Sequence, residues 1–274
     1  SNLSIMEETL GTPFVGEEIF VSKRNMIIPK VESAYKIMFP PEENIIVTPS
    51  ICPICGGKTE IKQDNDSKVL VCTNSNCKGK LLGKLTHFVS KNAMNIEGLS
   101  EATLEKFVEL EWLICFDDIY KLKSHASEMM KLEGFGEKSV KKLLKSIEMS
   151  KNTTLDRFIY SLSVPLIGRS ASKTISKYFN GDFDSFYKEC CLNQFDFTVL
   201  DDFGEAMNDS INDYINENVF MIGELSNYMD FGKSQTVSNS NLYNSNLANK
   251  NIVITGSLNH FKNRNELQEI IENL

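Results

Sequence analysis

The pattern of apolar and polar positions predicts a short β-rich start followed by a long helical region. Two apolar runs near the N-terminus, Glu18–Val21 and Met26–Ile28, are short and bounded by turn residues, which is typical of strands. From Leu85 to about Asp230 the apolar residues recur every three or four positions, and glycines interrupt the pattern. This spacing predicts a series of helices.

Proline-rich and polar segments separate these regions. Prolines interrupt residues 40–50, and residues 233–246 are polar and low in complexity, so we expect both segments to be linkers. Residues 250–255 then predict a buried strand and Asn265–Leu274 an amphipathic helix. Because one strand and one helix bury too little apolar surface to fold alone, we expect residues 247–274 to be a piece of a larger domain.

The composition is that of a folded, water-soluble protein. Of 274 residues, 41% are apolar and 24% are charged. No run approaches the roughly 18 apolar residues that a membrane span requires, and no leader of charged and then apolar residues opens the chain. We therefore expect a cytoplasmic protein of about two domains or several smaller ones.

The charge distribution changes the first impression of a strongly acidic chain. The formal net charge is −8, which argues against a nucleic-acid partner because Lys and Arg bind phosphates. However, residues 1–50 carry four basic and seven acidic side chains, residues 51–180 carry 20 and 15, and residues 181–274 carry five and 15. A basic middle between acidic ends indicates a localised binding surface.

Four cysteines between residues 52 and 77 have the spacing of a zinc site. A Cys-x2-Cys pair is followed, after 16 residues, by a Cys-x4-Cys pair. Each pair turns two thiolates toward one point, and four thiolates in a tetrahedron satisfy a structural Zn²⁺. The residues between the pairs alternate enough to predict a hairpin, hence a zinc ribbon. The predicted ligands are Cys52, Cys55, Cys72 and Cys77.

Disulfides or inert thiols are the alternative for this cluster. The odd total of seven cysteines and the expected cytoplasmic location disfavour disulfides. The remaining cysteines, Cys115, Cys190 and Cys191, lack the paired spacing, and we interpret them as core or surface thiols.

The helical region contains an approximate repeat centred on glycines. Each window has an apolar residue, a Gly-apolar-Gly or near match, and then a helical run. The four windows begin at Ile96, Leu132, Val164 and Leu200. Only the second is complete, because Ser100, Leu166 and Asp202 each replace one glycine in the others. The windows resemble the helix-hairpin-helix element, whose glycines form a tight turn that exposes backbone N–H groups to a DNA phosphate.

Basic side chains accompany the second and third windows. They are Lys138, Lys141, Lys142, Lys145, Arg169, Lys173 and Lys177. A single lysine of this kind is more often a solvated surface residue than a phosphate contact, but four windows in series within a basic segment favour duplex binding. We expect the fourth window, which lies in the acidic segment, to serve structure.

The order and the amino-acid sequences of these segments resemble one family, the bacterial NAD-dependent DNA ligases. The resemblance covers nearly the whole chain, from the end of the oligonucleotide-binding domain onward. The segments that carry it are Ile27–Val31, the cysteine pairs, His87–Leu99, Asp118–Leu122, Phe135–Ser139, Ile147–Lys151 and Ile252–Leu258.

The resemblance implies a multi-domain, mainly α architecture. Its parts are OB-like strands of a partial barrel at 1–49, a four-cysteine zinc finger at 50–84, a domain of four helix-hairpin-helix motifs at 85–232, a linker at 233–246, and the truncated start of an α/β BRCT domain at 247–274.

The resemblance also implies a function. The full enzyme adenylates itself from NAD, passes AMP to the 5′-phosphate of a nick in duplex DNA, and joins the 3′-hydroxyl to it. This portion would encircle the duplex as a monomer in the cytoplasm, at the nucleoid. The implied phosphate contacts are Gly98, Gly134, Gly136, Lys138, Gly168, Arg169 and Gly204. Ile27 and Ile28 would lie against the minor groove, although they read equally well as strand core.

The family's cofactors divide between two parts of the enzyme. Structural Zn²⁺ would be bound here, whereas NAD and Mg²⁺ would be bound by the N-terminal adenylation domain, the expected partner of this portion. No Lys-x-Asp-Gly motif, which supplies the family's adenylated lysine, occurs in the chain, so we expect it to hold no catalytic residue and to be inactive alone. Further departures are Lys23–Met26 in place of Arg-Ala-Gly-Asp, Lys91 in place of Arg, and Ser100 in place of Gly.

Two other functions remain open at the level of the sequence. One is a free-standing, non-catalytic DNA-binding adaptor or degenerate ligase relative. The other is a zinc-stabilised helical module that binds proteins, which would show no salt-dependent affinity for DNA.

Overall fold

A computed structural model of the chain describes residues 3–25, 27–35, 42–64, 67–232, 252–256, 260, 261, 267 and 271. Within these residues the secondary structure is mainly helical, with three sheets of two strands each. The chain divides into two compact units: residues 1–87 with 98–125, and residues 88–97 with 126–274. The predicted linker at 233–246 lies outside the described residues.

The first unit begins with a helix and an antiparallel hairpin. Helix α1 spans Leu3–Leu10, and strands β1 (Ile19–Arg24) and β2 (Ile28–Ala34) pair from Ile19 opposite Ala34 to Arg24 opposite Ile28. The second strand therefore starts where its predicted range ends and continues through Pro29. In the described residues these two strands pair only with each other, so they form no closed barrel.

Residues 42–50 pair with residues near the start of the chain and do not form a linker without contacts. A 3₁₀ turn at Glu42–Asn44 leads to Ile45, which bridges to Phe14. The backbone N–H of Ile46 donates to the Pro13 carbonyl at 3.0 Å. The prediction of a linker was wrong for this part, because Phe14 is buried and provides a pairing partner that prolines alone do not reveal.

The predicted hairpin between the cysteine pairs is present. Strands β3 (Thr59–Asp64) and β4 (Ser67–Cys72) pair antiparallel, with Thr59 opposite Cys72. Helix α2 (Lys78–Val89) begins immediately after Cys77 and crosses the boundary predicted between residues 84 and 85.

A series of helices follows, as the spacing of apolar residues predicts. They are α3 (Glu101–Glu109), α4 (Asp118–Lys121), α5 (Ala126–Met129), α6 (Glu137–Ser150), α7 (Leu155–Ser161), α8 (Arg169–Tyr178), α9 (Phe183–Phe186) and α10 (Glu205–Ser226). Two 3₁₀ turns, Leu122–His125 and Phe197–Val199, and a π-helical turn at Tyr187–Leu192 complete the described helices. None of the helices in the described ranges combines the length and apolarity needed to cross a bilayer.

Aromatic side chains form the core of the second unit. Phe158, Phe186 and Phe197 are almost fully buried. Phe158 meets Phe231 edge to face with ring centroids 5.2 Å apart, and Phe183 stacks on Phe231 at 4.5 Å. Such geometries add to the stabilisation from burial alone.

The end of the helical region contains a pairing that helical periodicity does not predict. Strand β5 (Asn152–Thr153) pairs in parallel with β6 (Asp230–Phe231). The predicted strand at 250–255 was wrong for its described part, since Ile252–Thr255 is not a strand and pairs with no described segment. Of the predicted terminal helix only Leu267 and Ile271 are described, and both are helical.

Candidate zinc site and nucleic-acid interface

The four predicted ligand cysteines come together at one point. Their sulfur atoms all lie within 4.8 Å of one another. The Sγ atoms of Cys52 and Cys77 are 3.9 Å apart, and those of Cys55 and Cys72 are 3.5 Å apart. Tetrahedral zinc with Zn–S bonds of about 2.3 Å holds sulfurs about 3.8 Å apart, whereas a disulfide requires about 2.05 Å. The cluster therefore fits a Zn²⁺ ion and not a pair of disulfides.

Glycines in the first knuckle allow the backbone to approach the sulfurs. The Cys52 N–H donates to the Gly57 carbonyl at 2.7 Å, and the Gly56 N–H donates to the Cys52 carbonyl at 2.9 Å. A Cβ atom on Gly57 would lie only 3.2 Å from the Cys55 Sγ, so a larger residue would crowd the sulfur.

Local hydrogen bonds prepare one thiolate for metal binding. A hydrogen bond from the Gly57 backbone N–H, with help from the Asn74 side chain, lowers the pKa of Cys55 to about 6. Burial raises the pKa of Cys72 to about 11. A divalent cation favours the thiolate form of every sulfur it contacts, so an ion here would bring all four cysteines to that form. Four sulfur donors leave no open position for chemistry, which is typical of a structural site.

A second group of candidate ligands, around Cys115, is satisfied by the protein itself. The Asp118 Oδ2 accepts from the backbone N–H groups of Ile114 and Cys115 at 3.0 and 3.1 Å, and from the Cys115 Sγ at 3.0 Å. The Lys121 ammonium pairs with both Asp117 and Asp118. These bonds fix the turn before α4, and burial raises the pKa of Cys115 to about 12. This supports the interpretation of Cys115 as a packed thiol.

The four predicted hairpin windows adopt one backbone conformation. At the first glycine position the φ angles are +97° in Gly98, +84° in Gly134, +65° in Leu166 and +64° in Asp202. A turn hydrogen bond closes three of the windows, with the N–H groups of Phe135, Ile167 and Phe203 donating to the carbonyls of Leu132, Val164 and Leu200. The windows without a first glycine therefore form the same left-handed turn.

The second glycine position is the N-cap of a helix in each window. Ser100, Gly136, Gly168 and Gly204 are extended and precede α3, α6, α8 and α10. No atom lies within 4 Å of the place where a Cβ would stand on the three glycines. In α6 the Gly136 N–H donates to the Ser139 Oγ at 2.9 Å, so the exposed donors of this turn are those of the next residues.

The charges around these helix starts differ between windows. On α6, Lys141 and Lys142 pair with Glu137 and Glu97 at 2.6 and 3.0 Å, whereas α8 carries three basic residues and no acidic one. Helix α10 begins with Glu205 and bears further acidic residues. The third window is thus the most favourable for a phosphate, and the fourth the least.

Helix α10 braces the third hairpin, a role that sequence reasoning missed. The Tyr214 hydroxyl donates to the Leu162 carbonyl at 2.9 Å, and the Ser210 hydroxyl donates to the Pro165 carbonyl at 2.7 Å. The spacing of four between Ser210 and Tyr214 places both on one face of the helix, but nothing in that spacing names their acceptors.

Ile27 and Ile28 are exposed on the β1–β2 hairpin. Ile27 is 82% exposed and Ile28 is 59% exposed. Both side chains are therefore exposed in this chain, and their contact with a minor groove stays a prediction. Two exposed isoleucines at the tip of a hairpin suit a contact surface.

Comparison with known proteins finds relatives that match nearly the whole chain. No family model matches the chain. Curated proteins named "DNA ligase" do: that of Ruminiclostridium cellulolyticum is 36% identical over 99% of this chain and 39% of its own length. That of Lachnoclostridium phytofermentans is 38% identical over 99% and 40%, and that of Fusobacterium nucleatum is 32% identical over 95% and 37%.

The chain spans about two fifths of the length of these relatives. The similarity is continuous over both compact units, and the zinc-ligand geometry fits the cysteine pairs that first indicated the family. Over nearly its whole length the chain is therefore similar to part of bacterial proteins named DNA ligase, which is consistent with a C-terminal fragment of a bacterial DNA ligase.

Proposed function

We propose that this chain is the DNA-clamping portion of an NAD-dependent DNA ligase that seals nicks in duplex DNA during replication and repair. The observation that carries the proposal is the common conformation of four helix starts, each following a left-handed turn. Helix N-termini present backbone N–H groups and positive partial charge, which bind phosphates without reading bases.

The second and third hairpins are the proposed main contacts. Gly134, Gly136 and Lys138 belong to the second, and Gly168 and Arg169 to the third. Their N-cap glycines leave open space in front of the helix. Gly98 would add the first hairpin, while Gly204 would contribute least, since the next residue is Glu205. The exposed pair Ile27 and Ile28 would lie in the minor groove.

The zinc ion would hold the ribbon together through the four cysteines, and Zn²⁺ supplies structural cross-linking when bound there. Catalysis would belong to the rest of the enzyme: an N-terminal adenylation domain of the same protein that binds NAD and Mg²⁺. We propose that the present chain is a monomer in the bacterial cytoplasm, associated with the nucleoid, and does not ligate DNA alone.

Salt-dependent duplex binding tests this proposal. Fluorescence anisotropy with a nicked duplex is measured over a range of salt concentrations and with several base sequences. A clamp that neutralises about four phosphates gives a log–log slope near −3.6 and similar affinity for every sequence. The absence of salt-dependent binding to the duplex would instead support a zinc-stabilised protein-binding module.

Substitution at the helix starts tests which hairpins contact DNA. Gly136→Val places a branched side chain where a phosphate must approach, and we expect it to weaken binding for all sequences alike. Gly204→Val is the matched control, because its backbone conformation and open surroundings are the same. We expect Gly204→Val to weaken binding less, and an equal effect of both variants would contradict the assignment.

A further inference from the structure

A polar cleft in the second unit lies beside the third hairpin. It has a volume of about 210 Å³. Its lining comes from three segments: Asn92 from the loop after α2, Thr154, Asp156, Arg157 and Tyr160 from the start and body of α7, and Arg169 and Lys173 from α8. Two of these seven residues, Arg169 and Lys173, are ones that the sequence had linked to the hairpin, and five are not.

The cleft carries an excess of positive charge. Arg157, Arg169 and Lys173 are cationic, and Asp156 supplies one carboxylate. The Oδ1 of Asp156 accepts from the Thr154 hydroxyl at 2.5 Å. Three cations against one carboxylate leave a net charge of about +2, which favours an anion.

Arg157 is held in place by neutral acceptors. Its Nη2 atom donates to the Lys91 and Ala93 carbonyls at 2.9 and 2.5 Å. Because these partners are uncharged, the guanidinium keeps its positive charge for the cleft. The same bonds hold the loop that carries Asn92 against α7, so an ordered segment forms this side of the cleft.

The remaining groups suit an oxyanion. Arg169 and Lys173 lie one turn apart on α8, about 6 Å along the helix axis, and therefore on the same face. The Asn92 amide is a donor that can complete a phosphate's coordination. The lining side chains are all polar, so the cleft suits a charged group and not an apolar ligand.

We propose that this cleft binds a backbone phosphate of one DNA strand, next to the phosphate at the start of α8. The proposal rests on the proposed function of the hairpins and extends the DNA contact to Asn92, which lies in a loop outside the repeat. A free anion such as inorganic phosphate shares the chemistry, and the experiment separates the two sources.

Two pairs of variants test the cleft. Lys173→Gln removes a cation from it, and Lys188→Gln removes an exposed cation from the π-helical turn, outside the hairpins. Asn92→Asp adds a negative charge in the cleft, and Asn95→Asp adds one to the same exposed loop outside it. All four positions are on the surface, and the melting temperature of each variant checks that folding is retained.

Binding of a nicked duplex is measured at several salt concentrations with the full 274-residue chain. Losing one phosphate contact lowers the log–log salt slope by about 0.9 and the affinity about eightfold at 0.1 M salt. We expect Lys173→Gln to show this loss, Asn92→Asp to weaken binding at least as much, and both controls to keep the wild-type slope.

The outcomes separate this proposal from the general one. If wild-type binding depends on salt but Lys173→Gln and its control behave alike, the cleft proposal is wrong and the clamp stands. If the wild type shows no salt-dependent binding, the clamp itself is wrong. The last experiment is a titration with inorganic phosphate at constant ionic strength. If Lys173→Gln abolishes phosphate binding but leaves the duplex affinity unchanged, the cleft binds a free anion and not DNA.

Discussion

The second hairpin contains two glycines that differ in why they are needed, and replacing each with alanine separates backbone strain from DNA contact. Gly134 has φ +84°, whereas Gly136 is extended at φ −108°. Neither has an atom within 4 Å of an added Cβ. Alanine therefore meets no steric clash at either position, and only the backbone conformation differs.

The expected magnitudes follow from that difference. An L-residue in the left-handed region costs roughly 1–2 kcal/mol, while the reduced freedom of the unfolded chain returns about 0.4–1 kcal/mol. We expect Gly134→Ala to lower the free energy of unfolding by about 1 kcal/mol. At Gly136 the same gain offsets the weaker capping by alanine, about 0.5–1 kcal/mol, so Gly136→Ala should change stability little.

Urea unfolding followed by circular dichroism measures the stability of both variants, and anisotropy with a nicked duplex measures binding. We expect the order of effects to reverse between the assays, because the methyl group of Gly136→Ala stands where a phosphate approaches. If both alanines lower stability equally, the argument from the left-handed turn fails. If Gly136→Ala binds DNA like the wild type, that helix start is not a contact.

The remaining predictions concern the zinc site, a buried thiol and the brace on the third hairpin. Cys72→Ser should remove the one zinc expected per chain and unfold the ribbon, because metal binding and folding are linked. Cys115→Ser should retain the metal. Elemental analysis measures the zinc content and melting curves measure the stability, and a full zinc content in Cys72→Ser would contradict the site. At pH 8 Cys115 should be alkylated slowly, since its raised pKa, about 12, keeps the thiol protonated. Asp118→Asn should lower that pKa and speed the reaction with iodoacetamide, and an unchanged rate would show that the carboxylate does not hold the proton. Tyr214→Phe leaves the Leu162 carbonyl without its buried donor and should cost about 1–3 kcal/mol, which calorimetry would detect; a neutral result would mean that α10 does not brace the hairpin.

Much of the candidate site was predictable because its signals are local in sequence. Cysteines separated by two or four residues lie on one turn, so their spacing already indicates that two sulfurs face one point. The hairpin windows were visible for the same reason: a left-handed turn followed by a helix start leaves glycines at fixed positions. The structure confirmed the predicted β-hairpin and the meeting of the four sulfurs.

Predictions that depended on distant partners were less successful. The segment at 42–50 read as a linker, but its pairing with Phe14 could not be seen from its prolines. The strand predicted at 250–255 has the right composition, yet a strand needs a neighbour to satisfy its hydrogen bonds, and its described part has none in the described ranges. The short parallel pair of β5 and β6 joins residues nearly 80 positions apart and leaves no periodic signal.

The sequence by itself determined the four candidate zinc ligands, the order of the four predicted hairpins and the family resemblance, because each depends on residues that are neighbours along the chain. Only the tertiary structure decided that Leu166 and Asp202 adopt the left-handed turn without glycine. Buried Ile167 and Phe203 follow them, and the turn hydrogen bonds hold the backbone there. It also brought Asn92, Arg157 and Lys173 to one cleft. Burial and electrostatic attraction act between residues that the fold brings together. The local spacing of residues along the chain therefore could not have shown that these three side chains line one cleft.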